Sequence, residues 1–243
     1  VPVQAEKVID KQVIGPGEAV GGIADGDTVM IGGFGEAGSP IELIHALIDQ
    51  GATGLTVISN NAGNGEVGLA ALIRAGQVAK MICSFPRSSN STMFQEMHRS
   101  GRIELELVPQ GTLAERIRAG GAGIPAFYTP TAAQTDLAAG KEQRQFNGRP
   151  CLLEHALVAD WSLIRARTAD RHGNLLYNMT ARNFSPVMAM AGRTTVVQAS
   201  SVVEPGALDP ETVVTPGIFV DRVVHVANPQ HESELVASGA RYP

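Results

Sequence analysis

Residues 25–40 read DGDTVMIGGFGEAGSP, and the order of features within that stretch decides the fold. The apolar run TVMIGGF has the length and β-branched content of a buried strand. Gly32, Gly33, Gly35 and Gly38 then place four glycines within seven residues. After them SPIELIHALIDQ carries Ile41, Ile44 and Leu47/Ile48 on one helical face, with Ser39 expected to cap ahead of Pro40. Strand, bare turn and helix in that order form the first half of a parallel crossover unit.

The rest of the chain repeats the theme. LTVISN, KMICSF, IELELV, LIRARTA, TTVVQAS and RVVHVA are further Val- and Ile-rich runs of strand length. VGLAALIRAG and STMFQEMHRSG fall between the early ones with helical spacing, each closing on a glycine suited to a helix end. The expected fold class is therefore α/β, a mainly parallel doubly wound sheet with helices on both faces, carried by one domain over 1–243. Residues 120–150 break the rhythm with Gly, Pro and polar residues, and read as a loop-rich insertion or small subdomain. The polar stretch 228–243 is expected to fray.

Composition excludes several classes. With 243 residues, 44% hydrophobic and 5% aromatic, the chain can bury a sizeable core. A formal charge of −5 without a dense Lys/Arg run argues against nucleic acid and against a membrane surface held by a basic patch. No apolar stretch is long enough to span a bilayer, and the opening VPVQAEKVIDKQV lacks the apolar centre of a signal peptide, so a cytoplasmic protein is expected. Cys83 and Cys151 lie in apolar runs without metal-ligand spacing, and are expected to be buried and inert. The histidines share no metal spacing, and no metal site is expected.

The glycine turn allows two readings from its pattern alone. Its backbone N–H groups could face an anion beyond the carboxyl end of the strand, or it could be a tight strand-to-helix turn with no ligand. Neither the dinucleotide spacing nor a Walker lysine and hydroxyl is present in functional form.

Beyond the pattern, DGDTVMIGGFGEAGSP matches the signature of the family I coenzyme A transferases throughout its length. TVISNNAGNGEVGLAAL, ELVPQGTLAERIRAGGAGIPAFYTPT, ADRHGNLLYNMTARNFSPVMAMA and VVTPGIFVDRVV extend the resemblance to the A (alpha) subunit of these enzymes over nearly the whole chain. The resemblance implies transfer of CoA between carboxylic acids through a glutamate that becomes an acyl anhydride and then a glutamyl-CoA thioester. That glutamate belongs to a Ser-Glu-Asn-Gly motif of the B (beta) subunit, and the motif is absent here. This chain should then be half of an enzyme, paired in a heterotetramer, with CoA entering as part of the substrate and no permanently bound cofactor.

Site residues follow from the same resemblance. Gly32, Gly33, Phe34, Gly35, Glu36, Ala37 and Gly38 correspond to the proposed CoA-binding turn, whose backbone could stabilise charge beside the thioester. Asn60, Asn61 and Gln110 follow strands and would offer neutral polar contacts to the reacting group; ordinary Asx turns and loop chemistry are the alternatives. Glu66 has glycine neighbours and an asparagine nearby, but its residue order fits a helix-start or substrate-adjacent role rather than the nucleophile. NAGNGEVGLAAL and CSFPRSSN look closest to the 3-oxoadipate (beta-ketoadipate) CoA-transferases, which use succinyl-CoA as donor. Both substrates keep a remote carboxylate, and Arg87, held by Pro86, is the expected cation for it, with a surface arginine as the alternative. Arg116 and Arg118 lie on different faces of one helix, so at most one should enter the site, and a solvated pair is the plain reading.

His45 reads as structural, His172 as a turn residue, and Met188 and Met190 as core. Asp170, Gly173, Asn174 and the ARNF segment at 181–184 fit family segments that hold a turn. TPTAAQTD at 129–136 replaces the family's Thr-Gly-Tyr-Gly-Thr, which alters the backbone freedom of that loop. The alpha chain of an acetoacetate or acetate CoA-transferase is the nearer alternative. A phosphorylated-metabolite sensor or a sugar-phosphate isomerase on a similar sheet is the more distant one.

Overall fold

The computed structural model describes residues 9–87 and 91–243. The first eight residues of the opening stretch, and Ser88, Ser89 and Asn90 of CSFPRSSN, lie outside the described residues. One sheet dominates. Its strands are β1 (Gln12–Val13), β2 (Thr28–Ile31), β3 (Leu55–Ile58), β4 (Val78–Cys83) and β5 (Glu104–Leu107) from the first half. The second half adds β9 (Ala159–Asp170), β10 (Leu175–Leu176), β11 (Gly192–Val203) and β12 (Arg222–His225). All seven runs expected as strands are in this sheet.

Pairing runs β1-β12-β11-β9-β2-β3-β4-β5 and is parallel throughout, apart from short β10, which lies antiparallel on β9. From β2 the chain winds outward one way to β5, and from β9 it winds the other way to β12. The winding reverses between β2 and β9, which places the switch-point crevice at their carboxyl ends.

Side-chain alternation assigns the two faces. Val29, Ile31, Val57 and Met81 pack with α1 (Pro16–Val20), α2 (Ile41–Gln50), α3 (Gly68–Arg74) and α4 (Met93–Arg99). Met30, Ile58, Ile82 and Val197 pack on the opposite face with α5 (Gln110–Gly121) and α6 (Ser185–Ala191). Because both faces are covered, the central strands read as continuous apolar runs rather than alternating ones. Cys83 and Cys151 are buried, and burial pushes the Cys83 thiol up to about 12. No described helix is long and apolar enough to cross a membrane.

The segment at 120–150 is more ordered than a loop. It contributes β6 (Ala126–Thr129), β7 (Gln143–Phe146) and most of the lead-in to β8 (Arg149–His155), which form a separate antiparallel sheet in the order β6-β8-β7. The altered 129–136 loop lies at the tip of this small sheet beside Gly148, Arg149 and Pro150. Arg116 anchors the sheet to α5 and is not a solvated residue. Only 8% exposed, it donates from Nε to the His155 carbonyl at 2.7 Å and from Nη1 to Glu106 at 2.7 Å. Arg118 behaves as the plain reading expected, pairing on the surface with Glu115.

The stretch 228–243 does not fray. It forms α7 (Glu232–Ala237) and then lays Tyr242 against His45, ring centroids 3.6 Å apart and nearly parallel. The Gly68 N–H donates to His45 Nε2 at 3.0 Å, so the imidazole is held as an acceptor. Burial pushes the His45 pKa down to about 4 from 6.5, against the opposing pull of Glu42 and Asp49. A folded value below the unfolded one means that neutral His45 stabilises the native state fully above pH 6.5, and that this is lost as pH falls toward 4. With screening by nearby solvent allowed for, the loss is about 2 kcal/mol. His45→Gln should therefore flatten the fall in urea midpoint between neutral pH and pH 4, and an unchanged fall would remove the assignment.

Candidate active site

The turn after β2 folds back on itself before the helix begins. Phe34 and Ala37 exchange backbone hydrogen bonds at 3.0 and 3.2 Å, which makes a hairpin with Gly35 and Glu36 at its tip. The Gly32 N–H continues the sheet to Leu163 O at 2.9 Å, and Ser39 N–H donates to Glu36 O at 3.0 Å. Within the turn, the N–H groups of Gly33, Gly35, Glu36 and Gly38 have no acceptor among the described residues. Gly35 has a positive φ of 57° and open space around it, whereas Gly38 is needed for packing. At Gly38, φ is 81° and an added Cβ would sit 2.5 Å from Ala181 O.

The helix that follows offers no bare N-terminus. Ser39 makes no capping bond to α2, contrary to the sequence expectation. Gln198 does that work from β11 by accepting from Leu43 N–H at 3.3 Å, while its own amide donates to Glu42 at 2.6 Å. With an acidic side chain in its first turn, α2 repels an anion there.

The hairpin borders more than one cavity, and Phe34 and Ala37 share one of them with Met179 and Asn183. Phe34 and Gly35 line a crevice of about 540 Å³ together with Asn60, Asn61, Arg87 and Gln110. Segments far apart in sequence thus meet at the carboxyl ends of β2 to β5. Glu36, Ala37 and Gly38 line a second cavity of about 600 Å³ beside Arg165, Arg167 and His231. Gly32 and Gly33 are buried beneath the turn. The turn does not act as one surface.

Asn60 is the centre of the crevice's polar wall. It is 3% exposed, and its Oδ1 accepts from Ser84 Oγ and from Gln110 Nε2, both at 2.8 Å. Its backbone carbonyl accepts from Ser84 and Phe85 N–H at 3.2 and 3.0 Å. With the oxygen doubly engaged, the amide nitrogen remains a fixed neutral donor. Asn61 makes an Asx turn, accepting from Gly63 N–H at 2.8 Å. Arg87 is exposed at the rim, as are Phe34 and Phe85 at 51% and 59%.

Glu66 does not line this crevice. Its carboxylate faces Arg241 at 3.3 Å and its carbonyl accepts from Tyr242 N–H at 3.0 Å. Sequence reasoning passed over Ser84 and Phe85, although residues just past the carboxyl end of a strand are where such a crevice forms. Asn183 of the ARNF segment, which the sequence places only within a turn, donates to Ala37 O at 2.8 Å and so braces the hairpin from behind. Asp170 and Asn174 close their own turn at 2.8–2.9 Å, away from the crevice.

No aspartate, glutamate, histidine or cysteine lines the crevice among the described residues. It offers donors, a cation at the rim and two exposed aromatic faces, and among the described residues its lining holds no carboxylate or thiol to serve as nucleophile.

Comparison with known proteins agrees in kind. Residues 15–226 match the family described as Coenzyme A transferase. The chain is 58% identical over 220 residues to the A (alpha) subunit of the 3-oxoadipate CoA-transferase of Pseudomonas putida, covering 90% of this chain and 95% of that protein. It is 51% identical to the A (alpha) subunit of the succinyl-CoA:3-ketoacid coenzyme A transferase of Xanthomonas campestris pv. campestris strain B100, covering 88% of each. Among solved structures, an acyl-CoA transferase from E. coli O157:H7 in a thioester complex with CoA superposes with a TM-score of 0.80 at 23% identity. That match covers 91% of this chain and 50% of the other, so this chain spans half the length of that one.

Proposed function

The chain belongs to the coenzyme A transferase family, and from that premise we propose that it is the A (alpha) subunit of an enzyme moving CoA from succinyl-CoA to 3-oxoadipate, with the attacking glutamate on a partner B (beta) subunit. The observation that carries this reading is the crevice: donors converge there around Asn60, and among the described residues no carboxylate lines it to attack a thioester. In the reaction, a carboxylate oxygen of the partner's glutamate attacks the succinyl thioester carbon. The C–S bond breaks, and CoA leaves as thiolate from an acyl anhydride. The thiolate then attacks the glutamyl carbonyl and expels succinate, which leaves a glutamyl-CoA thioester for the 3-oxoadipate carboxylate to reverse the sequence upon.

Each addition places negative charge on a carbonyl oxygen. The Asn60 amide nitrogen and the Gly35 N–H are the donors in this chain suited to receive it. Neutral donors fixed beforehand stabilise that charge without reorganising during the reaction. Phe34 and Phe85 would flank the apolar arm of the thioester, and Arg87 would pair with the remote carboxylate common to succinate and 3-oxoadipate.

The test is co-expression with a chain carrying Ser-Glu-Asn-Gly, followed by assay of CoA transfer from succinyl-CoA. Transfer is expected only from the pair; full-rate transfer by this chain alone would contradict the reading. In the assembled enzyme, Arg87→Met should lower kcat/KM for 3-oxoadipate about tenfold to 100-fold, the size of a charge-assisted hydrogen bond, and spare acetoacetate. Equal loss for both acceptors would remove the role of Arg87.

A further inference from the structure

The family match ends at residue 226, yet residues beyond it hold both walls of the crevice. Glu232 is 4% exposed, and its carboxylate accepts from Asn64 N–H at 3.2 Å and from Asn64 Nδ2 at 2.8 Å. The next residue, Ser233, donates its backbone N–H to Glu36 Oε2 at 2.7 Å. Asn64 lines the crevice on the side of Asn60 and Asn61, and Glu36 sits at the tip of the hairpin whose Phe34 and Gly35 form the facing wall. Two consecutive residues therefore link two loops that no strand pairing joins.

The fit along this segment is close. A Cβ on Gly65 would meet Val236 of α7 at 2.5 Å, so the loop after β3 is bare where α7 presses on it. Further on, Arg241 and Tyr242 hold Glu66, and Arg74 Nη2 reaches Pro243 O at 2.6 Å. Glu232 itself has no cationic partner among the described residues. An unpaired buried carboxylate is unfavourable for stability alone, and both its hydrogen bonds go to one residue of the crevice.

We infer that Glu232 is a positioning residue: through Asn64, and through Glu36 by way of its neighbour Ser233, it holds the two loops of the crevice at their working separation. The segment 230–243 is part of the site's frame. Its catalytic consequence rests on the transferase reading above, while its structural half does not.

Hydrogen exchange on the full chain, and CoA transfer by the chain assembled with its partner, test the two halves. Glu232→Ala should speed exchange at residues 63–66 by about tenfold or more while β4 and β11 keep their protection. It should also lower kcat about tenfold with the KM for succinyl-CoA little changed, because misplacement weakens the transition state more than binding. Glu232→Gln keeps one oxygen for the Asn64 N–H and should recover part of both losses. Unchanged exchange at 63–66, faster exchange throughout the sheet, or local loosening with unaltered kcat would each overturn the inference. A wild-type assembly without CoA transfer would instead sink the transferase reading, and exchange at 63–66 would still decide whether Glu232 holds the loop.

Discussion

Gly38→Ala is expected to lower native-state stability by about 2–4 kcal/mol, the sum of a left-handed residue with a Cβ and a backbone clash. In the assembled enzyme it should lower CoA transfer by about 100-fold, since a displacement near an ångström is enough for that. Two independent features act at this position. The φ of 81° disfavours any side chain, and the new methyl would lie 2.5 Å from Ala181 O, a backbone atom that cannot rotate away. Relief requires the hairpin to move relative to the 181–183 turn, which Asn183 otherwise braces through Ala37 O. Gly35→Ala is the informative companion. It shares a positive φ but meets nothing within 4 Å, so it should cost only about 1 kcal/mol of strain. Thermal or urea unfolding of the two variants checks the difference; equal losses would show that conformation alone, without the clash, governs the turn.

Arg116→Met should destabilise the chain by about 3 kcal/mol, the lower end for removing one partner from a buried ionic cluster. Its guanidinium contacts Glu106 at 2.7 Å and Glu154 at 3.9 Å, and holds the His155 carbonyl. Burial alone would push the Glu106 carboxyl up; the hydrogen bond and charge of Arg116, aided by Lys80, outweigh it and hold that carboxyl below the ordinary value. Without Arg116 the desolvation remains and the main compensation is gone. Glu154 would keep Lys141 at 2.5 Å, and Glu106 would keep Lys80 at 3.3 Å, which limits the loss. Amide exchange in β6 and β8 should rise before exchange in β9, because the cluster joins the small sheet to α5. Adding Glu154→Leu to Arg116→Met should recover part of the stability, and a double variant no better than the sum of the singles would deny coupling between the two residues.

On the proposed transferase reading, the crevice would account for one chain being necessary and yet insufficient for catalysis. Neutral donors around Asn60 can wait for an oxyanion, but the groups that would attack a thioester are absent from its lining among the described residues. A carboxylate placed among those donors within one chain would engage them itself. On the proposed reading, a nucleophile delivered from a partner would leave the Asn60 amide nitrogen and the hairpin N–H groups open until both halves meet.

While α6 between β10 and β11 came only with the structure, the sequence by itself determined the seven principal strands, the helices between the early ones and the position of the glycine turn. These depend on short-range causes: β-branched runs, apolar spacing of 3.6 and the freedom of glycine. It also placed Asn60 and Gln110 past the ends of strands, where a wound sheet opens. Only the tertiary structure decided which way the loop side chains turn. Phe34 and Gly35 reach the crevice beside Asn60, while Glu36 and Gly38 line the cavity beside Arg165, and Asn183, 146 residues from Ala37, donates to the Ala37 carbonyl behind the turn. Asn64 stands in the crevice wall with Glu232, 168 residues away, behind it, while Glu66 two residues later turns toward Arg241. Arg116 was legible as one face of a helix, yet its burial required β8 to arrive from beyond an insertion with no helical or crossover rhythm. A loop lacks a periodicity of its own, so the direction of each side chain is set by partners that the fold brings from elsewhere in the chain.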